Sequence, residues 1–432
     1  MKKFNTSPIS GAQELLPAEQ AVFNDLKTKI AGSYKSHGYS EIETPSIERT
    51  EILLAKAGGD TEKQIYKLIK TTESADDSTQ ALRFDHTVPL ARYIVEHENN
   101  LVFPFKVSQI GTNFRGERAQ KGRFREFYQC DVDIIGRDKL PIAYDADVIQ
   151  TLLDTLKLFG LNTPILARIS NRKILSGFLE AYNLNQFTTE ILDVIDHTEK
   201  VPPEKTKSSL EELQLDQDII NRLLTLIDLN GNRESVIDTL ESLGLRNDTF
   251  ITGVKELDQV LSLLEAANLK NEITADLKIV RGLDYYTGTV FEFILPEHKY
   301  IGSITGGGRY ENLTKHFSDH AFPGVGGSIG LTRLFYVLNE AKLLNHTIST
   351  LFDYAIVPIS ENEFEEAMTV ATKLRKNDKT ATIIFTDKKL GDKLTYASKI
   401  TKNAIVVGEN EAKTHSYKAK NFATGETTDL DI

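Results

Sequence analysis

One cysteine, Cys130, is all the thiol chemistry that this chain of 432 residues carries. It can close no intrachain disulfide and builds no cysteine-rich zinc or iron–sulfur site. It suits a reducing compartment, so a cytoplasmic protein is expected. Nine histidines are scattered without the close spacing of a zinc site, so no protein-ligated metal is expected. No stretch approaches the ~20 apolar residues that cross a bilayer. The opening MKKFNTSPIS is basic with no apolar core behind it. Neither a membrane span nor a secretory signal is expected. Basic excess is missing too. With 51 basic and 62 acidic residues the formal charge is −11, which excludes a histone-like binder but leaves room for local basic patches.

What is present is an ordinary globular balance, 40% hydrophobic and 26% charged, in a chain too long for one domain. Val22, Phe23, Leu26, Ile30 and Tyr34 recur at helical spacing after Pro17, and Gly38 stops that helix. A strand with an edge-type proline is read in YSEIETPSI, and an extended run in ALRF leads to a helix over 88–96. Two strand-like runs, VFPFKVSQIGTNF and REFYQCDVDIIG, flank the loop RGERAQKGRF and predict a hairpin with a long basic connection. In the second run Tyr128, Cys130, Val132 and Ile134 fall on one face, with Gln129, Asp131 and Asp133 on the other. One face is core and the other presents carboxylates.

A helix over 140–160 and the strand ILARIS follow, and residues 172–270 read as a helical insertion of short helices with polar joints. Strand character returns over 276–310, and FPGVGGSIGL leads into the helix LTRLFYVLNEA. Beyond a polar joint at 343–350, the strands FDYAIVPI, TATIIF and NAIVVG alternate with helices over 361–377 and 388–401. That alternation implies a separate α/β unit with a parallel or mixed sheet.

Several segments could carry chemistry. The loop over 115–125 sets Arg115, Arg118, Lys121, Arg123 and Arg125 against Glu117, and forked guanidinium donors suit phosphate and carboxylate groups. VRGLDYYTG places Arg281 and the pair Tyr285–Tyr286 around glycine turns, as an anion clamp with substrate orienters or as strand tyrosines in a core. TGGGRY and PGVGGSIG fit neither a P-loop nor a dinucleotide fingerprint; each reads as tight packing or as close approach to a ligand. Arg333 sits early in the following helix, where it could point back to a triphosphate. In LRFDHTVPL, Arg83, Asp85 and Thr87 share a face if the segment stays extended, with His86 turned away and packed. Lys388, Lys389, Lys393, Lys399 and Lys402 form a candidate basic surface in the last unit, or a solvated helix face.

In combination these strings resemble the histidyl-tRNA synthetase family of class II aminoacyl-tRNA synthetases, over essentially the whole length. GYSEIETPSIERTE, FRGERAQKGRFREFYQCDVDIIG and GVGGSIGLTRLF are similar to the three class motifs. VRGLDYYTGTVFEF and GGGRYENL resemble the two histidine signatures. The resemblance implies an α+β catalytic domain on an antiparallel sheet, in two parts at 1–171 and 271–343 around the helical insertion 172–270. It also implies a C-terminal α/β anticodon-binding domain at 351–432.

The implied reaction joins L-histidine to its tRNA with ATP and Mg2+, in a cytoplasmic homodimer with Pro45 at the interface and no membrane partner. By motif position, Arg115 and Arg281 would be catalytic at the α-phosphate. Arg115, Glu117, Arg123 and Arg333 would bind ATP. Asp85, Thr87, Gln129, Asp133 and Arg281 would hold histidine's amino and carboxylate ends, with Tyr285, Tyr286 and Tyr310 around its ring. Arg118 and Gln120 would meet the acceptor end of the tRNA. Ala119, Glu311 and Thr332 depart from the family pattern.

Overall fold

The computed structural model describes residues 4–54, 62–70, 79–118, 121–198, 201–279, 286–311, 314–315, 317–344 and 352–432. Two compact units divide the chain, Met1–Gln13 with Lys27–Leu344 and Glu14–Leu26 with Asn345–Ile432.

A nine-stranded sheet organises the first unit. Across it run Ser40–Glu41, Phe105–Phe114, Glu126–Ile135, Gly324–Ile329, Thr305–Tyr310, Tyr286–Ile294, Leu166–Asn171, Ile273–Asp276 and Asn230–Gly231. The hairpin pairs Phe105–Phe114 with Glu126–Ile135 antiparallel, and the next three neighbours continue antiparallel to Leu166–Asn171. Parallel pairs join Ser40–Glu41 to the hairpin and Leu166–Asn171 to Ile273–Asp276.

Burial does not alternate along the second hairpin strand: Tyr128 is half-buried, and Asp131 and Asp133 are buried as well as the apolar face. Cys130, Val132 and Ile134 are fully buried. Tyr34, from the helix Pro17–Ser36, donates to the Cys130 carbonyl at 2.9 Å. Helix Ala143–Lys157 buries Ile149, Leu152, Leu153 and Leu156 and packs on strand Gly324–Ile329. Arg309 clamps that helix's start, donating to Asp145 at 2.7 Å and to the carbonyls of Leu140 and Pro141. The neighbour of Tyr310 is thereby fixed from behind the sheet.

Two expectations change. The single strand read through YSEIETPSI is broken: Ser40–Glu41 joins the large sheet, while Ile47–Arg49 joins a small sheet with Gln80–Leu82 and Lys67–Leu68. Pro45, exposed between the two pieces, has no N–H for a ladder and marks the break. Over 172–270 six α-helices occur among the described residues, but the joint read at DLNGNRES also contributes Asn230–Gly231 to the sheet edge. Helix Asp248–Ala266 packs on helix Arg172–Ala181 through Gly177 and Gly253; a Cβ at Gly253 would stand 2.7 Å from the Ile174 nitrogen.

The second unit has a mixed five-stranded sheet in the order Ala381–Ile383, Phe352–Pro358, Thr401–Val407, Tyr417–Asn421, Thr427–Leu430. The first three are parallel and the last two antiparallel. Helix Phe364–Lys376 buries Ala367, Val370, Ala371 and Leu374 against Ile356 and Ile405. Helix Leu390–Ala397 places Ala397 and Leu394 with Ala355, Val357 and Ala404. Lys393 does not join a basic surface. It is buried, and its Nζ donates to the carbonyls of Pro358 and Ile359 at 2.9 and 3.2 Å. Lys388, Lys389, Lys399 and Lys402 are exposed.

Candidate active site

The face of the large sheet that carries Gln129, Asp131 and Asp133 is floored by glycines. Gly326 lies opposite Asp133 and Gly324 opposite Ile135 in the register. Asp133 leans across Gly326, where a Cβ would overlap its Oδ1. The Tyr310 ring leans across Gly324, where a Cβ would come within 2.5 Å of it. The two side chains meet over this floor, and Tyr310 Oη donates to Asp133 Oδ1 at 2.7 Å. The glycine runs are thus explained by the side chains of the strands beside them.

Burial sets the electrostatics. Desolvation pushes the Asp133 carboxyl up to about 7; the Tyr310 hydrogen bond pulls against this, and the charges of Asp131 and Asp85 add to it. Asp85 is raised as well, first by burial, with the Val88 N–H that it accepts and the nearby Arg115 working the other way. Asp85 therefore closes the start of helix Thr87–His97, and Thr87 opens it. Because the chain turns here, Arg83 does not share a face with Asp85 and Thr87. Its buried guanidinium donates instead to the carbonyls of Thr112 and Thr44, at 2.9 and 2.5 Å. Gln129 is fixed from both sides, accepting from Asn113 at 2.7 Å and donating to Ser328 at 2.8 Å.

Arg115 lies between two rings, 4.4 Å from the Phe84 centroid and 5.0 Å from that of Phe127, and donates to the Phe84 carbonyl at 3.3 Å. Stacking on two faces holds the guanidinium plane while leaving donors on its edge. In the loop beyond, Arg123 reaches Glu117 at 3.3 Å, and Arg125 donates to the carbonyls of Glu117 and Ser10. Arg118 is exposed. Phe124 packs edge-on against Tyr336, so the loop rests on the helix Leu331–Glu340 that carries Arg333. Arg333 donates to the carbonyls of Ser303 and Ile301. Thr332, buried beneath it, accepts the Tyr128 N–H at 2.8 Å and ties that helix to the hairpin.

Asp85, Gln129, Asp133, Tyr310 and Arg115 thus converge on one face, with Tyr286 paired opposite Tyr310 and its ring over Gly308. Arg333 stands apart from the acids, at the loop end of the hairpin. Arg281, Tyr285 and Gln120 lie outside the described residues. A cavity of about 330 Å³ opens behind Tyr286, among Ile174, Leu179, Leu192 and Ile279; of the described residues expected to touch substrate, Tyr286 lines it and the others do not. Reading from sequence alone missed the pairing of His86 with Asp131, where Nδ1 and Oδ2 are 2.8 Å apart in the interior. The alternation at 129–133 had placed Asp131 on the acidic face, but nothing local names its partner.

A buried end of carboxylates and phenol suits a small ligand bearing N–H donors, and a ring-stacked arginine beside it suits a phosphate. On a large, mostly antiparallel sheet with a long arginine hairpin and a glycine strand running into an arginine-bearing helix, this is the architecture of a class II aminoacyl-tRNA synthetase. The description "Histidyl-tRNA synthetase" matches residues 11–334, and an anticodon binding domain matches residues 353–432. The chain belongs to the histidyl-tRNA synthetase family. It is 42% identical to a histidine–tRNA ligase of Clostridium tetani, over 100% of this chain and 98% of that one. The figure is 41% for the ligase of Clostridium acetobutylicum, over 100% and 99%. The crystal structure of histidyl-tRNA synthetase from Nostoc sp. PCC 7120 superposes with a TM-score of 0.90 at 34% identity, covering 99% of this chain and 97% of that one.

Proposed function

We propose that this protein is a histidine–tRNA ligase. It activates L-histidine with ATP to histidyl-adenylate and pyrophosphate, then passes histidine to the 3' end of its tRNA and releases AMP. The observation that carries this reading is the buried Asp133–Tyr310 pair on a glycine floor beside the stacked Arg115, in a chain of this family.

The histidine carboxylate attacks the α-phosphorus in line, and charge grows on the non-bridging oxygens as pyrophosphate leaves. Positioned cations supply most of what such a step needs, so no protein nucleophile is required. Arg115 grips the α-phosphate, joined by Arg281, which also meets the histidine carboxylate. Glu117, Arg123 and Arg333 hold the rest of the nucleotide, Arg333 on the γ-phosphate side. Asp85, Thr87 and Gln129 receive the α-ammonium group. Asp133 joins them at the amino end, and Tyr285, Tyr286 and Tyr310 line the ring pocket. An amino acid without ring nitrogens leaves the polar partners of the ring pocket unmatched, a discrimination on the order of 10⁴-fold.

Arg118 and Gln120 meet the acceptor end of the tRNA, and the unit over 351–432 reads its anticodon. The catalytic parts are assigned to 1–171 and 271–343, with 172–270 inserted between them. Homodimerisation through the exposed Pro45 segment and a cytoplasmic location belong to the same reading. No helix among the described residues is long and apolar enough to cross a membrane. Magnesium accompanies ATP as its counter-ion in this reading. Charging of total bacterial tRNA with labelled amino acids tests the proposal. Label from histidine is expected on one accepting tRNA family, with AMP released in equal amount; label from another amino acid instead would overturn it.

A further inference from the structure

Between Gln129 and Asp133, both engaged by neighbouring strands, Asp131 occupies the middle of the acidic face and follows a different rule. It is 6% exposed and lies opposite Gln109 on one side and Ser328 on the other. Its side chain takes neither of those residues as partner. Oδ2 meets His86 Nδ1 at 2.8 Å, and Oδ1 is buried with no hydrogen-bond partner.

His86 is 1% exposed and stands between Asp85 and Thr87 in the chain. Its own carbonyl is held by Gln109 Nε2 at 3.3 Å and by the Leu90 N–H at 2.9 Å, which fixes where the ring can point. A carboxylate partner makes Nδ1 the donor and leaves Nε2, itself buried and unpartnered, toward Gly111. A Cβ at Gly111 would meet both Arg83 Nη2, at 2.5 Å, and His86 Nε2, at 3.2 Å. The glycine therefore makes room for a buried arginine and a buried imidazole side by side.

A buried acid held by an imidazole is poor value as a mere stabiliser, since desolvation offsets the attraction. It has a clear electrostatic target. Asp131 acts on Asp133 and on Asp85, the two acids at which the amino acid is received. We propose that Asp131, held in place by His86, is a positioning residue for the amino-acid pocket: it acts through Asp133 and Asp85 and fixes how much negative charge the incoming substrate meets. The inference rests on the histidine-activating reading and adds to it a residue pair that touches neither ATP nor tRNA.

Asp133 faces Asp131 on its own strand, Asp85 from the segment before helix Thr87–His97, and Tyr310 from strand Thr305–Tyr310. Tyr34 and Tyr39, on the far side, also feel its charge. Of these, Asp131 and Asp85 hold the proton on Asp133, and Tyr310 favours its release. Removing the Asp131 charge therefore moves the ionisation of Asp133 to lower pH.

The test is histidine-dependent ATP–pyrophosphate exchange as a function of pH for wild type, Asp131→Asn, His86→Leu and His86→Asn, with thermal midpoints measured beside it. In Asp131→Asn the acid limb of kcat/KM for histidine is expected to move down by about half a pH unit or more. His86→Leu is expected to raise KM for histidine about tenfold with KM for ATP unchanged. His86→Asn, which keeps an N–H donor for Asp131, is expected to restore most of that loss. An acid limb that stays put in Asp131→Asn, or equal changes in both KM values in His86→Leu, would overturn the pair's role. If wild type itself shows no histidine-dependent exchange, the activating reading fails, which is a different result from wild-type exchange with unresponsive variants.

Discussion

Asp133 is where composition, packing and chemistry meet at the scale of one residue. Its carboxyl titrates at about 7 in the folded chain against 3.8 in the open, chiefly because burial penalises the charge. Between those values the native state keeps a proton that the unfolded chain has lost. Its contribution to stability is therefore full below the unfolded value and is lost as pH rises through about 7. Asp133→Asn removes this dependence and can still accept from Tyr310. Without ligand, the thermal midpoint of Asp133→Asn relative to wild type is expected to rise between pH 5 and pH 8; parallel curves would contradict the assignment of the buried proton. The same variant is expected to raise KM for histidine well over tenfold. The position of Asp133 was legible from a two-residue period. The Tyr310 partner, 177 positions away, was legible only as a member of the same resemblance, because no local pattern encodes a pair across that span.

At the scale of the element, the glycine strands show why a motif can be visible while its purpose is not. TGGGRY and PGVGGSIG stand out in sequence, yet their cause lies on neighbouring segments: Gly326 makes room for Asp133, Gly324 for the Tyr310 ring, Gly307 for Phe291 and Gly308 for Tyr286. Gly326→Ala drives a methyl group into Asp133 and toward the Val132 carbonyl, at 2.8 Å. Histidine-dependent exchange is expected to fall at least tenfold, with a stability loss of about 1–3 kcal/mol from overpacking. Gly32→Ala, inside the helix Pro17–Ser36 and with nothing within 4 Å of the added atom, is expected to gain up to about 1 kcal/mol and to keep exchange. Denaturant unfolding and exchange on the two variants check both outcomes. Lys393 makes the complementary point. Leu390, Lys393, Leu394 and Ala397 follow i, i+3, i+4, i+7, so its place on the inward face was readable. Its two carbonyl partners, which make that burial tolerable, lie at and just past the end of strand Phe352–Pro358 and were not.

For the molecule as a whole, no single string specifies the architecture; the order of the strings does. Alternating strands and helices after residue 351 imply an α/β unit with a parallel or mixed sheet from the sequence alone, because each element there pairs close to its sequence neighbours. The large sheet was harder. Gly324–Ile329 pairs with Glu126–Ile135 across almost 200 positions, and the Asn230–Gly231 strand is too short to show a period. The net charge of −11 spread over the chain does not oppose a polyanionic partner, since phosphate contact depends on local basic groups. The proposed function rests on one arrangement, in which acids and a phenol would receive an amino acid beside a ring-stacked arginine that would take phosphate. ATP–pyrophosphate exchange by the full chain, run separately with each of the twenty amino acids, measures that most directly. Exchange with histidine at least a thousandfold above every other amino acid is the expected result; background exchange with histidine from folded protein, or a preference for another amino acid, would contradict it.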